Sequence, residues 1–173
     1  GGTYRLLNRG FAGLQLTVTP VDTTNLDAVA AAVTPKTRLV WLETPTNPRL
    51  LVSDIQAIAA VAQASGALVV VDNTFATPVF QQPFALGADL VVHSVTKYLA
   101  GHSDLIQGAV LARDAAVFEP VKFLQNAIGA VPAPLYPPAR LTQAEDHLRR
   151  YAGVVANCQA GILITVAEVK PFA

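Results

Sequence analysis

Short apolar segments typical of buried β-strands alternate along this chain with segments that have the caps and composition of α-helices. The strand-like segments cover residues 14–20, 37–43, 67–71, 88–93 and 108–112. Strands that are apolar on both faces need helices on both sides, and alternating strands and helices are joined by crossovers. The pattern therefore predicts an α/β fold with a mostly parallel sheet and helices on both faces. In such folds ligands bind beyond the carboxyl ends of the strands.

Four helices are predicted between the strands, each bounded by a capping residue or a helix breaker. Their predicted ranges are Asn25 or Asp27 to about Val33, Ser53 to Gly66, residues 80–86 closed by Gly87, and Asp114 to about Ala127. Residues 44–48 include two prolines and an asparagine, so they are predicted to form a loop into which neither the preceding strand nor the following helix can continue. This loop, the turn at 72–75 and the segment 94–104 follow three of the strands and are the candidate positions for a site.

Composition excludes several classes of protein. The chain has 173 residues, of which 52% are apolar, and 12 Lys and Arg residues balance 12 Asp and Glu residues. The apolar share allows a sizeable core, and the zero net charge gives no basic surface for nucleic acid and no polybasic membrane anchor. The single cysteine, Cys158, excludes an internal disulfide and a multi-cysteine zinc site. We therefore expect a cytoplasmic protein that binds neither nucleic acid nor membranes.

The densest polar cluster follows the strand at 88–93 and contains Ser94, Thr96 and Lys97. Hydroxyls can donate to phosphate oxygens without adding charge, and a partly desolvated lysine becomes a usable amine nucleophile. Together the hydroxyls and the lysine suggest an aldehyde cofactor that carries a phosphate and is held as a Schiff base. Pyridoxal 5'-phosphate (PLP) is the cofactor that matches this description. The alternative interpretation is a surface loop with an ordinary solvated lysine.

An aspartate, Asp72, leaves the buried strand at 67–71. A PLP enzyme needs such a carboxylate to keep the pyridine nitrogen protonated, so that the ring can accept electrons. The alternative is that Asp72 caps its own turn with help from Asn73 and Thr74. Lys97 follows Asp72 by 25 residues, one crossover unit, so we expect the two at neighbouring strand ends.

Several motifs, in order, resemble the Cys/Met-metabolism family of PLP enzymes, which includes cystathionine γ-synthase, the cystathionine lyases and methionine γ-lyase. The motifs are Gly1-Gly2-Thr3-Tyr4, Glu43-Thr44-Pro45-Thr46-Asn47-Pro48, Val71-Asp72-Asn73-Thr74-Phe75-Ala76-Thr77-Pro78, Ser94-Val95-Thr96-Lys97-Tyr98 and Gly101-His102-Ser103-Asp104. The resemblance implies part of the large PLP domain of the type I aminotransferase-like fold. Agreement of several motifs in one order is far more specific than any single motif.

The resemblance also implies roles for individual residues. Lys97 corresponds to the lysine that holds PLP and moves protons between substrate carbons, and Asp72 corresponds to the partner of the pyridine nitrogen. The implied cofactor-binding residues are Lys97, Asp72, Ser94, Thr96, Asn47 and Thr74. Of these, Ser94 and Thr96 would bind the phosphate, Asn47 would lie near the substrate carboxylate, and Thr74 would border the ring.

The implied function is that of a PLP-dependent lyase or transferase acting on a small amino acid substrate. It would eliminate or replace a group at the β or γ carbon of cystathionine, O-acylhomoserine or a related compound, and the intact protein would be a homo-oligomer, a dimer or a tetramer. Two alternatives are a catalytically inactive remnant of the PLP fold and a nucleotide-binding α/β domain. No glycine-rich nucleotide motif follows any predicted strand, which weighs against the second.

The remaining reactive and aromatic residues are interpreted as packing or surface groups, with no metal site expected. They are His93, His147, Cys158, Trp41 and Tyr98. Because the chain has no Met, we expect it to be a piece of a longer protein. We expect residues 1–134 to be a partial PLP domain and residues 135–173 a divergent tail, which a change of reading frame near Leu135 would explain. Alternatively, the tail is genuine and contains an amphipathic helix over 142–152.

Overall fold

Five strands form one sheet in the order β1-β2-β3-β4-β5. The structure is a computed structural model that describes residues 2–10, 16–103 and 106–130, and the backbone of 162–165. The strands are β1 (Leu39–Glu43), β2 (Leu68–Asp72), β3 (Leu90–Ser94), β4 (Gly108–Ala112) and β5 (Ile162–Thr165). The first three are parallel, β4 is antiparallel to β3, and β5 is antiparallel to β4. Four of the five strands therefore run in one direction, which confirms the predicted mostly parallel α/β sheet.

Helical segments flank the strands, and three of those described begin at a side-chain cap. The helices are α1 (Gly2–Arg5), a π-helical turn (Leu6–Gly10), α2 (Leu26–Ala32), α3 (Ile55–Ala64), α4 (Thr77–Phe80), a 3-10 turn (Pro83–Leu86) and α5 (Ala115–Ala127). Asn25 accepts a hydrogen bond from the third residue of α2 at 3.1 Å, so Asn25 is the cap rather than Asp27. Asp114 caps α5 as predicted, through the amide of Ala116 at 2.7 Å.

Three of the predicted elements are wrong in detail. Asp54, and not Ser53, caps α3, because its carboxylate accepts from Ala57 N at 2.9 Å. The predicted helix at 80–86 is interrupted: Phe80 ends α4 and a separate 3-10 turn covers Pro83–Leu86, since Pro83 has no N–H to donate and cannot continue α4. Residues 16–20, the described part of the predicted strand 14–20, form no strand. A short segment with β-propensity is stable as a strand only when a neighbour pairs with it.

The main core lies between one face of the sheet and helices α2 and α3. Alternate strand residues such as Val69, Val71 and Val91 pack there against Ile58 and Ala62 of α3. The opposite face has a smaller cluster, in which α5 contributes partly buried side chains. Its buried members are Val70, Leu90 and Ala112, and the residues packed on them are Trp41, Val92, Val110, Val117 and Phe118. Helices thus contact both faces of the sheet, but unequally.

Within the residues that the structure describes, no helix combines the length and the apolar character required to cross a membrane.

Candidate active site

The candidate residues lie at or just beyond the carboxyl ends of the parallel strands β1, β2 and β3. Glu43 is paired with Asp72 across β1 and β2, and Asp72 is paired with Val92 across β2 and β3. Ser94 lies two residues beyond Val92, so it shares a sheet face with Asp72 and Glu43. This is the carboxyl edge predicted for the site. The shared face is the one that carries the smaller apolar cluster.

Two hydrogen bonds link Asp72 to Ser94 through Thr74. Asp72 Oδ1 accepts from Thr74 N at 3.0 Å, and Thr74 Oγ1 accepts from Ser94 N at 2.7 Å. Asp72 therefore does cap its own turn, as the alternative interpretation proposed. Its other oxygen, Oδ2, accepts no hydrogen bond within the described part of the chain. One oxygen of this half-buried carboxylate holds the turn, and the second remains available for a ligand.

Lys97 lies in the turn that follows β3. Lys97 N donates to Ser94 O at 3.1 Å, and Gly101 N donates to Lys97 O at 2.9 Å. An edge-to-face contact between Phe75 and Tyr98, with ring centroids 6.1 Å apart, joins this turn to the one after β2. The topology thus brings the segments of Asp72 and Lys97 together. Lys97 was expected to be partly desolvated. Among the described residues its side chain is instead exposed, as are those of Tyr98 and His102.

The two hydroxyls that precede Lys97 differ in their partners. Thr96 Oγ1 accepts from Gln107 N at 2.8 Å and donates to Gln107 O at 3.2 Å. A hydroxyl has one hydrogen, so this arrangement commits the donor of Thr96. The Ser94 hydroxyl has no hydrogen-bond partner among the described residues. Of the two predicted phosphate ligands, Ser94 is the one with a free donor in this structure.

Asn47 lies in the loop after β1, where its side chain is exposed. Its backbone N–H donates to Glu43 Oε1 at 3.1 Å. Thr46 closes the same loop, because it accepts from Leu51 N through its hydroxyl at 3.0 Å and from Leu50 N through its carbonyl at 2.8 Å. The loop is thus held in shape by its own hydrogen bonds, and the Asn47 carboxamide lies at the same edge of the sheet as Asp72.

A partly buried polar network beneath these loops was missed by sequence reasoning. Its members are Thr23, Thr44, Ser53, Asn73 and Gln81. Each stands near a turn or a proline, where polar residues are common and carry no distinctive signal. The only available hint was the position of Asn73 directly after Asp72. The hydrogen bonds join positions up to 37 residues apart, which no local pattern reports.

His93 and Trp41 are packed residues, as the sequence suggested. His93 is 4% exposed on the face covered by α3, and burial lowers the pKa of its imidazole to about 4. Trp41 is partly buried in the smaller cluster. Within the described ranges no three His, Cys, Asp or Glu side chains are grouped so that they could hold a metal ion. His147, Cys158 and the tail helix considered for 142–152 lie outside the described residues.

Comparison with known proteins relates this arrangement to enzymes of sulfur amino acid metabolism. The chain is 54% identical over 134 residues to cystathionine gamma-synthase of Mycobacterium tuberculosis, a match that covers 78% of this chain and 34% of that protein. It is 52% identical to cystathionine gamma-lyase of Dictyostelium discoideum and 49% identical to cystathionine beta-lyase of Lactococcus lactis, again over 134 residues. These two matches cover 78% of this chain and 35% of each relative. The chain thus spans about a third of the length of these relatives.

Solved structures show the same fold. Cystathionine gamma-lyase from Lactobacillus plantarum complexed with L-serine superposes with a TM-score of 0.78 at 45% identity, covering 87% of this chain and 39% of that one. The metB protein from Corynebacterium glutamicum superposes with a TM-score of 0.79 at 42% identity, covering 88% and 39%. The family described as Cys/Met metabolism PLP-dependent enzyme matches residues 1–137. The chain therefore belongs to the Cys/Met-metabolism family of PLP-dependent enzymes.

Proposed function

We propose that this chain carries part of the PLP site of a lyase or transferase of sulfur amino acid metabolism. The reaction is elimination or replacement at the β or γ carbon of cystathionine, O-acylhomoserine or a related substrate. The observation that carries the proposal is the hydrogen-bonded series from Asp72 through Thr74 to Ser94, with Lys97 in the next turn. It supports one site assembled from two strand ends.

The free polar atoms fit the chemistry of PLP. Among the described residues Asp72 Oδ2 is a free acceptor that can hold a proton on the pyridine nitrogen, and Ser94 Oγ is a free donor for a phosphate oxygen. Lys97 offers an exposed amine to the aldehyde. When bound, PLP supplies an aldehyde that captures amines and a ring that accepts electrons from a substrate carbon.

The family resemblance suggests roles for the remaining residues, and the described contacts bear on each. Thr96 would bind phosphate only by giving up its donation to Gln107 O. Thr74 would border the ring, because its hydroxyl lies between the Asp72 turn and β3. Asn47 would orient the substrate carboxylate from the loop after β1. After substrate binds, the released Lys97 amine would move protons between substrate carbons.

The proposal is made for a class of reactions, because the relatives named synthase, gamma-lyase and beta-lyase match with similar identities of 54, 52 and 49%.

We further propose that the protein is cytoplasmic, which its neutral charge and single cysteine support, and that it forms a homo-oligomer. Large exposed apolar side chains such as Phe80, Phe123 and Ile128 support an association surface.

Reductive trapping of the cofactor tests the proposal. The purified chain is incubated with PLP, reduced with borohydride and mapped by peptide mass spectrometry. We expect one dominant modified site at Lys97, which Lys97→Ala abolishes, while Lys36→Ala, a change at another exposed lysine, leaves it intact. Equal labelling of several lysines would contradict an assembled site. No uptake by the folded wild-type chain would favour the alternative of a PLP-fold remnant without cofactor.

A further inference from the structure

The side-chain amide of Gln81 joins the end of β1 to the turn after β2. Gln81 Nε2 donates to Thr44 O at 2.9 Å and to Asn73 Oδ1 at 2.8 Å. In return, Asn73 Nδ2 donates to Gln81 O at 3.0 Å. Both hydrogens of one carboxamide are therefore used to connect two strand ends that are far apart in the sequence.

Water does not compete readily for these bonds, because the groups that Gln81 contacts are buried. Thr44 is fully buried and Asn73 is 1% exposed. Thr44 Oγ1 also accepts from Ser53 N at 2.9 Å, and the Ser53 hydroxyl is hydrogen-bonded to that of Thr23 at 2.8 Å. The network is thus anchored at the start of α3. Removing the carboxamide would leave buried acceptors without donors, which is costly.

Asn73 transmits this restraint to the candidate site. It stands between Asp72 and Thr74, and its own amide donates to Val92 O at 3.0 Å. Thr77 N donates to Asn73 O at 2.9 Å, which fixes the chain on the other side of the turn. A displacement of Asn73 would therefore move Asp72 and Thr74, and through the Thr74 hydroxyl it would disturb the amide of Ser94.

We propose that Gln81 is a positioning residue that, through Asn73, sets the orientation of the Asp72 carboxylate toward the cofactor ring. The inference rests on the proposed PLP site and adds to it a residue outside the predicted set. Gln81 does not touch the free oxygen of Asp72, since its amide donors go to Thr44 and Asn73. Its role is to hold the turn so that this oxygen faces one direction.

The test compares Gln81→Leu and Gln81→Glu with Gln63→Leu in the purified chain. Gln63 is a matched control, because its amide donates to Gly87 O at 3.1 Å near the opposite edge of the sheet. Amide hydrogen exchange of Thr74 and Ser94 is measured by NMR without cofactor, at a temperature where all variants are folded. PLP affinity and the 15N chemical shift of the labelled ring nitrogen are then measured with cofactor.

We expect each Gln81 variant to exchange the Thr74 amide roughly tenfold faster and to bind PLP roughly tenfold more weakly than wild type. The ring nitrogen signal should also shift toward the unprotonated value, while Gln63→Leu changes none of the three. Exchange and affinity that match wild type in Gln81→Leu would overturn the proposal, as would equal losses in Gln63→Leu. Should the wild-type chain take up no PLP, the proposed function fails separately, and the exchange rates alone decide whether Gln81 holds the turn.

Discussion

At the scale of single residues, His93 couples the stability of the fold to pH. It is buried on the covered face of the sheet, and desolvation lowers the pKa of its imidazole to about 4, below its ordinary value of 6.5. Between those two values the unfolded chain binds a proton that the folded chain does not, so stability falls as pH falls from 6.5 toward 4. His93 alone should lower the free energy of unfolding by about 2 kcal/mol between pH 7 and pH 5.

Urea unfolding at the two pH values checks this expectation. His93→Asn should remove most of the pH-dependent loss, whereas His102→Asn, at an exposed histidine, should leave it unchanged. A wild-type chain that is equally stable at both pH values would show that His93 binds a proton at pH 5 as readily in the folded chain as in the unfolded chain. A loss that persists in His93→Asn would assign the effect to other groups.

Motifs predict the reactive residues of the candidate site but not their surroundings. Side-chain chemistry after two strands and the family resemblance predict Asp72, Ser94 and Lys97, and the structure brings their segments to one sheet edge. Their hydrogen bonds could not be predicted, because the commitment of the Thr96 hydroxyl depends on where residue 107 lies in space. For the same reason Gln81 was missed, since its partners come from two other turns.

At the scale of elements, Gly87 is required where the 3-10 turn meets β3 and packs on α3. Its φ of 101° favours glycine, and a Cβ there would lie 2.8 Å from Ala59 Cβ. Gly66 also has a positive φ, 76°, but a Cβ there would meet no atom of the described residues within 4 Å. We expect Gly66→Ala to cost about 1 kcal/mol of stability from backbone strain alone. Gly87→Ala should cost roughly 2–4 kcal/mol, because steric overlap adds to the strain.

Denaturant unfolding of both glycine variants measures the difference. Gly66 serves as the control for backbone strain, since it ends the turn after α3 with no neighbour to displace. If the two variants lose equal stability, Gly87 does not pack on α3 as closely as described. A loss in Gly66→Ala that exceeds the loss in Gly87→Ala would contradict the steric argument outright.

Sequence patterns predicted elements well where the cause is local. The capping residues Asn25 and Asp114 and the glycine after α3 are read from neighbouring positions, and the structure has them. The strand expected at 14–20 depends on a pairing partner that its own residues do not encode, and its described part forms no strand. The interruption between α4 and the 3-10 turn also has a local cause in Pro83, although the predicted helix over 80–86 runs through that residue.

At the scale of the whole molecule, the directions of neighbouring strands go with the kind of connection between them. Helices link β1 to β2 and β2 to β3, which allows parallel pairing. Residues 95–107 link β3 to β4 with no α-helix or 3-10 helix in the part that the structure describes, and these strands are antiparallel. The alternation of elements therefore predicted the layered fold, while the reversal at β4 followed from a link that also carries Lys97.

A cofactor that binds the folded chain but not the unfolded chain stabilises the whole fold, so PLP should raise the midpoint temperature of thermal unfolding. At a concentration of 100 times its dissociation constant, a ligand adds about 2.7 kcal/mol, which corresponds to roughly 5–10 °C for a chain of this size.

Pyridoxal, which lacks the phosphate, should give a smaller rise at the same concentration, because it offers nothing to the Ser94 hydroxyl, which is free among the described residues. Asp72→Asn should reduce the rise with both compounds. An equal rise with PLP and pyridoxal would place the phosphate outside the site, and no rise at saturation would mean that PLP reacts with surface lysines of folded and unfolded chain alike.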